Sequence, residues 1–401
     1  MRLPLNGHLT YCTNIHPGET WVEVFTSLQA HLPVVKQLVS QDGDMGIGLR
    51  LSNQASIELT QLGIGPFLEW MQEQGFYLFT MNGFPYGGFH RKLVKDQVHQ
   101  PDWTTDERVK YTNRLFDLLA QMLPEGMDGG ISTSPLSYKP WWKGEQYDEV
   151  FRAATKNLLK IVVQLHRYRQ DQGITLHLDI EPEPDGLIEN SLETIRYFDD
   201  WLIPLGKKYL IGQFEITKDE AEEIIRRHVT VCYDVCHFAV AYESPAEAMS
   251  RFLEARIGIG KIQISSALKC DFTDHRQSRP VYSKTFESLD EPTYLHQVVA
   301  RDSGNNLHQY PDLPQALKYI NRPETAEWRT HFHVPVFIES YGLLQSTQAD
   351  IREVLQLWSN SPMTSHLEVE TYTWEVLPEE LQIEINTSIA RELIWVIEQL
   401  K

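Results

Sequence analysis

Acidic side chains recur at the ends of predicted strands, where they could hold a metal ion or exchange protons with a bound molecule. Between Ile174 and Glu181 the chain alternates apolar residues with His177, Asp179 and Glu181, so these polar side chains share one strand face. Pro182 then stops strand pairing and leaves Glu181 at the carboxyl end. An edge strand with one solvated face would show the same alternation, but its recurrence on later strands favours a functional site.

Three later segments repeat this pattern of one apolar and one polar face. Asp234 and Gln263 each oppose apolar neighbours, and Glu368 and Glu370 alternate with apolar residues. Carboxylates a few Å apart cannot all stay ionised without a counter-charge. Protonation, a basic side chain or a bound cation would each resolve the repulsion.

Two of these remedies have candidates in the sequence. Arg50 and Lys261 fall at positions whose side chains point inward, which would give an internal salt-bridge network. A divalent metal is the alternative, because oxygen ligands with at most one nitrogen suit Mn²⁺, Mg²⁺ or a similar hard ion.

Short strand-like runs alternate with amphipathic helical runs along the chain. The predicted strands are residues 9–14, 46–52, 76–82, 130–134, 174–181, 229–234, 260–265 and 366–372. The predicted helices are residues 19–39, 57–74, 106–122, 147–170, 191–202, 218–228, 245–255, 348–358 and 378–400. Repeated β-then-α units predict an α/β fold with parallel strands, a (β/α)8 TIM barrel whose strand ends meet at one mouth. A doubly wound open sheet is the alternative.

The domain prediction is a single barrel domain over residues 1–401, with residues 267–330 as an insertion or lid after strand seven. So long an irregular segment is unusual in a compact domain and tends to be functional. A further extended run covers residues 331–338.

Charge and hydropathy restrict the classes of partner that the protein could have. The net charge of −19 repels phosphate backbones, so no nucleic-acid partner is expected. No signal-peptide pattern begins the chain, and no apolar run approaches the roughly 20 residues that cross a bilayer. We therefore expect a cytoplasmic protein that is not membrane-embedded. The four cysteines lack a Cys-x-x-Cys pair and should be small buried apolar residues.

Loops after the strands supply a candidate small-molecule pocket. Aromatic rings give flat apolar walls for sugars or ring-shaped ligands, an asparagine amide can hold a hydroxyl, and a lysine suits an anionic group. Turn, surface and lid-core roles are the alternatives. The predicted substrate-binding residues are Asn82, Phe84, His90, Lys139, Trp141, Tyr372 and Trp374.

Glutamate ending strand five, Asp-x-x-His after strand six, a polar residue on strand seven and glutamate on strand eight together resemble the xylose isomerase-like barrels. That superfamily includes sugar isomerases, sugar epimerases and endonuclease-IV-type enzymes. The resemblance implies a divalent ion (Mn, Mg or Zn) with His237 beside it, held by Glu181, Asp234, Gln263 and Glu370.

The chain departs from that superfamily at Gln263, where histidine is usual. Glutamine is a weaker ligand than histidine, so weaker metal binding is expected here than in that superfamily. His331 or His333 would compensate if the insertion folds back over the mouth.

A second resemblance covers nearly the whole chain and is carried by eight short runs in order. They are LTYCTN (9–14), FTMNGFPYGGFH (79–90), ISTSPLSYK (131–139), DIEPEP (179–184), YDVCH (233–237), QISSALK (263–269), HFHVP (331–335) and LEVETYTW (367–374). Together they resemble the metabolite traffic protein EboE family, a branch of the same superfamily. It occurs in bacterial gene clusters linked to movement of a metabolite precursor toward the envelope. The resemblance implies that context, with partners among the products of one cluster, and assigns no catalytic step.

Taken together, these features predict metal-assisted isomerisation or epimerisation of a sugar-like or polyol metabolite. Glu181 and Glu370 would be ligands and also acid and base, and His237 would orient a substrate oxygen. The rival is a non-catalytic metabolite-binding protein that hands a precursor to a membrane export partner. An abasic-site endonuclease shares the fold but suits neither the charge nor the missing histidine. Whether the protein is an enzyme, and its oligomeric state, stay open.

Overall fold

A nearly closed barrel of parallel strands is the centre of the fold. The computed structural model describes residues 1–39, 43–88, 94–273, 278–290, 292–372 and 384–401. The strands in chain order are β1 (His8–Tyr11), β2 (Met45–Arg50), β3 (Phe76–Asn82), β4 (Gly129–Thr133), β5 (Leu176–Ile180), β6 (Val229–Asp234), β7 (Ile259–Ile264), β8 (Leu268–Asp271), β9 (Val298–Asp302), β10 (Leu307–Tyr310), β11 (Thr325–Thr330), β12 (Ser340–Tyr341), β13 (Leu344–Ser346) and β14 (His366–Val369).

The barrel consists, within those described ranges, of eight parallel strands in the order β1-β14-β7-β6-β5-β4-β3-β2. A parallel bridge between Cys12 and Gly48 joins the two outer strands just beyond β1. The (β/α)8 barrel prediction is therefore confirmed, and the open doubly wound sheet is wrong.

Helices cover the outside of the barrel, and several begin at capping residues that the sequence supplies. Thr105 caps the fourth helix through Arg108 N, and Thr217 with Glu220 forms a capping box at the eighth. The helices are α1 (Trp21–Val39), α2 (Asn53–Leu62), α3 (Gly65–Gln74), α4 (Asp106–Met122), α5 (Gln146–Gln172), α6 (Ser191–Tyr197), α7 (Ile203–Ile211), α8 (Lys218–His228), α9 (Val235–Val240), α10 (Pro245–Glu254), α11 (Arg279–Glu287), α12 (Leu313–Leu317), α13 (Gln348–Asn360) and α14 (Ile385–Gln399).

The strand alternation separates an apolar layer from a polar interior. Leu176, Leu178 and Ile180 of β5 are fully buried in the main apolar core, to which α5 contributes Leu158 and Ile161. Burial of each such side chain stabilises the fold by roughly 1.5–3 kcal/mol. The intervening polar residues of β5 are left for the barrel interior, where they need polar or charged partners.

The six strands β8 to β13, which lie between β7 and β14 in the chain, form a second, antiparallel sheet. Its strand order is β10-β9-β11-β8-β13-β12. A separate apolar cluster that includes Trp328, Phe286 and Leu313 packs against it. The segment that we predicted as irregular thus contains a sheet, whereas the extended run predicted at residues 331–338 contains no strand.

All four cysteines are buried and none is in a disulfide bond. Within the described ranges, none of the helices combines the length and the apolar character needed to cross a bilayer.

A buried ion pair fills the middle of the barrel. Lys261 Nζ lies 2.7 Å from Glu368 Oε2, and both side chains are fully buried. The same ammonium donates to Met81 O at 3.2 Å and to Ser132 Oγ at 3.3 Å. The pair therefore ties β7 to β14, β3 and β4 across the interior.

Lys261→Met should destabilise the protein by about 3–5 kcal/mol, because Glu368 would stay buried without its cation. Urea unfolding at neutral pH measures the loss. The double variant Lys261→Met/Glu368→Leu should recover part of it, since no unpaired charge remains. An unchanged unfolding midpoint in the single variant would contradict the pairing.

Glu392 of α14 should make stability depend on pH. Its carboxylate accepts from Thr371 Oγ1 at 2.7 Å and from Val336 N at 3.1 Å, and burial raises its pKa from 4.5 to about 7. A raised folded-state pKa contributes stability that is complete below pH 4.5 and lost as the pH rises through about 7. Glu392→Gln should therefore gain stability over wild type from pH 5 to pH 8, approaching roughly 3 kcal/mol. Urea unfolding across that range tests this. Glu398→Gln, an exposed control on the same helix, should keep the pH dependence of wild type. If Glu398→Gln changed the pH dependence as much as Glu392→Gln does, the prediction would be contradicted.

Candidate active site and metal centre

A pocket opens at the carboxyl ends of the barrel strands, where β5, β6 and β14 meet the insertion. It encloses about 570 Å³, counting the part that is open to solvent. Its ionisable lining includes Glu181, Glu183, His237, His331, His333 and Glu370. The strand-end carboxylates and the insertion histidines therefore share one cavity.

Three carboxylates converge at the floor of this pocket. One oxygen each from Glu181, Asp234 and Glu370 lies within 4.8 Å of the others, and all three residues are buried. Burial, reinforced by the neighbouring carboxylates, raises the pKa of Glu181 well above its usual range, and burial raises the pKa of Glu370 to about 8. Burial also raises the pKa of Asp234. The carboxylates cannot all ionise together without a cation.

No basic side chain in the described part of the chain supplies that cation. Lys261 is paired with Glu368, and Arg50 donates to the carbonyl oxygens of Gly18 at 3.1 Å and Gly87 at 2.6 Å. The internal salt-bridge network that we weighed in the sequence does not include the three pocket carboxylates. Glu181 Oε2 and Asp234 Oδ2 are buried with no hydrogen-bond partner among the described residues.

The position of Asp234 at the start of a helix explains the Asp-x-x-His spacing. It ends β6 and caps α9, where its Oδ1 accepts from His237 N at 3.0 Å and from Ser265 Oγ at 2.7 Å. One helical turn then places the imidazole beside the carboxylate, with His237 Nε2 at 3.8 Å from Asp234 Oδ1.

Hydrogen bonds hold Glu370 in place. Its Oε1 accepts from Asn14 Nδ2 at 2.7 Å and from Asn82 Nδ2 at 2.9 Å, and its Oε2 accepts from Gln263 Nε2. Gln263 Oε1 in turn accepts from Cys232 Sγ at 2.5 Å. The structure thus brings Gln263 to the predicted ligand set, with both ends of its amide in hydrogen bonds.

Three imidazole rings form a second set of donors above the carboxylates, which we call the histidine triangle: His237, His331 and His333. Their Nε2 atoms are separated by 3.1, 3.2 and 3.4 Å. Donors around a tetrahedral zinc ion lie roughly 3.3 Å apart, as metal–nitrogen bonds of about 2.0–2.1 Å require. The triangle therefore has the size of a metal site.

The outer nitrogens of the triangle fix its tautomers. His237 Nδ1 lies 3.0 Å from Pro182 O, His331 Nδ1 lies 2.8 Å from Gln297 Oε1, and His333 Nδ1 lies 3.2 Å from Glu370 O. Each Nδ1 facing a carbonyl oxygen must carry the proton, so the Nε2 lone pairs face one another.

The three rings of the histidine triangle are not expected to be protonated at neutral pH. Burial lowers the pKa of His237 to about 4 and the pKa of His333 to about 3, and it lowers the pKa of His331 well below the usual value. Three mutually facing lone pairs repel one another unless a cation lies between them.

The other predicted pocket residues divide into three groups. Asn82, Phe84 and Tyr372 line the pocket. Lys139 lies outside it and pairs with Glu189 at 2.5 Å, and Trp141 Nε1 donates to Asp96 Oδ2 at 2.8 Å, so the structure does not bring these two to the site. His90 and Trp374 lie outside the described residues.

Sequence reasoning missed several lining residues. Asn14 closes a predicted strand, so the strand-end argument could have found it. Glu183 stands two residues after Glu181 in the Glu-Pro-Glu run, and it faces His99 Nε2 at 3.2 Å. No sequence signal pointed to His99 or Gln297, because the β3–α4 loop and the second sheet bring them there.

Comparison with known proteins identifies the fold. No protein-family model and no curated protein matches the chain. L-ribulose 3-epimerase aligns with a TM-score of 0.50 at 10% identity, over 98% of this chain and 94% of that one. A xylose isomerase-like TIM barrel protein from Mycobacterium smegmatis in complex with magnesium aligns with a TM-score of 0.47 at 11% identity, over 92% and 86%. The IOLI protein with a zinc atom gives 0.46 at 11% identity, over 98% and 99%. The barrel shares its fold with L-ribulose 3-epimerase, and so low an identity shows nothing beyond the fold.

We expect the pocket carboxylates to bind Mn²⁺ in calorimetric titration. Glu181→Gln should weaken the affinity at least tenfold by removing a charged ligand, and Gln263→His should strengthen it by supplying a nitrogen donor. His166→Ala, a change on the outer helix α5, is the control and should leave the affinity unchanged. Absence of binding by wild type and by Gln263→His would contradict the metal centre.

Proposed function

We propose that this protein is a metal-dependent enzyme that isomerises or epimerises a sugar-like or polyol metabolite. The observation that carries the proposal is the meeting of three uncompensated carboxylates and three converging imidazoles in one buried pocket. Structural metals are enclosed by their ligands, whereas catalytic ones keep an open position that faces a substrate cavity. Two of the three carboxylates, Glu181 and Glu370, and all three imidazoles line such a cavity.

The residues present fit a divalent ion. Glu181 and Asp234 each have a buried oxygen without a partner, and the histidine triangle presents nitrogen lone pairs. The carboxylate set suits Mn²⁺ or Mg²⁺, and the triangle suits Zn²⁺. A divalent ion bound there would act as a Lewis acid toward substrate oxygens and make the adjacent C–H bond more acidic.

Glu181 and Glu370 would carry out the proton transfer. They project from different strands, β5 and β14, into one cavity, so a substrate carbon between them would present two faces to two carboxylates. The amides of Asn14 and Asn82 hold one oxygen of Glu370 and leave its orientation fixed during the transfer. His237, anchored through Nδ1 to Pro182 O, would orient a substrate oxygen.

The walls fit a small polyhydroxylated molecule. Phe84 and Tyr372 present apolar faces, and the amides of Asn82 and Gln297 add polar groups to the same cavity, although both ends of each amide already have protein partners. The fold similarity to L-ribulose 3-epimerase supports this substrate class as an analogy.

A second candidate follows from Gln263. Its amide is hydrogen bonded at both ends, so it offers no open ligand atom as it stands. That favours a non-catalytic carrier of the EboE type, which would bind a metabolite precursor and pass it to a membrane export partner encoded in the same cluster.

Solvent isotope exchange distinguishes the two candidates. Incubated in D₂O with Mn²⁺ and a panel of ketopentoses and ketohexoses, an enzyme should incorporate deuterium at a carbon next to the carbonyl, as measured by mass spectrometry. Glu370→Gln should lower the exchange rate at least a hundredfold, the usual contribution of a general acid or base.

Lys139→Ala, outside the pocket, is the control and should retain the wild-type exchange rate. Saturable binding of a sugar by wild type without any exchange would replace the enzyme with the carrier.

A further inference from the structure

A separate group of potential ligands lies at the other end of the barrel. We call it the basal cluster: Asp128 just before β4, His177 on β5, and His366 at the start of β14. One ligand atom from each residue lies within 4.8 Å of the others. Residues at strand starts gather at the amino-terminal face, so the cluster is remote from the pocket at the strand ends.

The basal cluster has the spacing of a metal site. His177 Nε2 lies 3.4 Å and His366 Nε2 lies 3.7 Å from the same oxygen, Asp128 Oδ2. These separations are close to the roughly 3.3 Å between donors around tetrahedral zinc. They exceed normal hydrogen-bond lengths for the His366 ring, so the carboxylate does not satisfy that ring directly.

His177 is aimed at the cluster by a second carboxylate. Its Nδ1 lies 2.6 Å from Asp179 Oδ1 and its Nε2 lies 3.4 Å from Asp128 Oδ2; although burial lowers the pKa of His177, the charge of Asp179 and the hydrogen bond to Asp128 raise it to about 10, so a metal ion would have to displace the proton on Nε2. This carboxylate–histidine arrangement is the one that orients zinc-ligating imidazoles.

His366 supplies the independent observation. The residue is fully buried, and neither ring nitrogen has a hydrogen-bond partner in the described part of the chain. Leaving both polar atoms unsatisfied costs about 1–3 kcal/mol each. An ion pair between His177 and its carboxylates would account for those residues but not for this ring, whereas an ion bound among the three residues would also give His366 Nε2 a partner.

The neighbouring strands leave room for the cluster. A Cβ on Gly130 of β4 or on Gly260 of β7 would collide with the His177 ring. The Asp128 side chain is 46% exposed, which gives an ion a path from solvent and leaves a water molecule access to a fourth position.

We propose that the basal cluster binds one Zn²⁺ ion, additional to any ion in the pocket. Two neutral imidazoles and one carboxylate are a set of ligands that zinc favours. The ion would join β5 to β14, which are not neighbours in the sheet, and so stabilise the amino-terminal face of the barrel. This site does not depend on the proposed function.

Zinc stoichiometry tests the proposal. After equilibrium dialysis against Zn²⁺, His366→Gln and Asp128→Asn should each hold one equivalent fewer than wild type, measured by elemental analysis. Asp106→Asn, which removes the same charge from an exposed site, and His228→Gln, which alters another buried histidine, should match wild type.

Combination with a pocket variant separates the two sites. The double variant His331→Ala/His366→Gln should bind one equivalent of zinc per chain less than His331→Ala alone. Zinc should also raise the melting temperature of Asp106→Asn more than that of Asp128→Asn, because only the former keeps the basal ligands. Equal stoichiometry in the basal variants and their controls would overturn the proposal.

A measurement on wild-type protein covers the case in which the basal variants fail to fold. Crystals grown with Zn²⁺ should show an anomalous difference peak at the zinc edge, roughly 2.0–2.3 Å from both Nε2 atoms of the basal cluster. Peaks confined to the pocket would overturn the proposal.

Discussion

The interior of the barrel is a column of buried charges, and the rest of the structure depends on how each layer is neutralised. A charge removed from water is costly unless a partner of opposite sign lies against it. In the middle layer, Lys261 compensates Glu368 directly. At the amino-terminal face, the imidazole of His177 lies between two carboxylates. At the mouth, three carboxylates have no cation among the described residues. The mouth is therefore the layer that is available for chemistry, and the other two layers stabilise the fold.

The ion pair in the middle layer determines the charge balance at the mouth of the barrel. Lys261 is the inward lysine of β7, and its bonds to Glu368, Met81 O and Ser132 Oγ use all three of its donors. It cannot also reach the pocket carboxylates. Gln263, two residues further along β7, points to the same interior but is neutral. The mouth is therefore left with carboxylates that must either take up protons or bind a divalent ion.

The second sheet completes the pocket by bringing two histidines over the mouth. The chain leaves β11 after Thr330, and His331 N donates to Gln297 O at 2.9 Å while Val334 N donates to Ser266 O at 3.0 Å. These two backbone bonds fix the segment between them to the sheet on one side and to the end of β7 on the other. His331 and His333, two residues apart in this segment, both meet His237 there. The insertion therefore supplies two of the histidines that could bind a metal ion, as well as a cover.

The sequence by itself determined the barrel and the carboxylates, because both follow from local periodicity. Alternation of apolar and polar residues is a property of neighbouring positions, and a parallel barrel brings strand ends to one face; Glu181, Asp234 and Glu370 could be located from that alone. Only the tertiary structure decided that Lys261 is committed to Glu368, that Gln263 donates to Glu370, and that the insertion histidines reach the mouth. It also placed Lys139 and Trp141 outside the pocket, although both follow a strand in sequence. These contacts join residues many positions apart, and no local pattern encodes which side chains meet across the barrel or how the second sheet pairs its strands, so the partners became known only when the chain was folded.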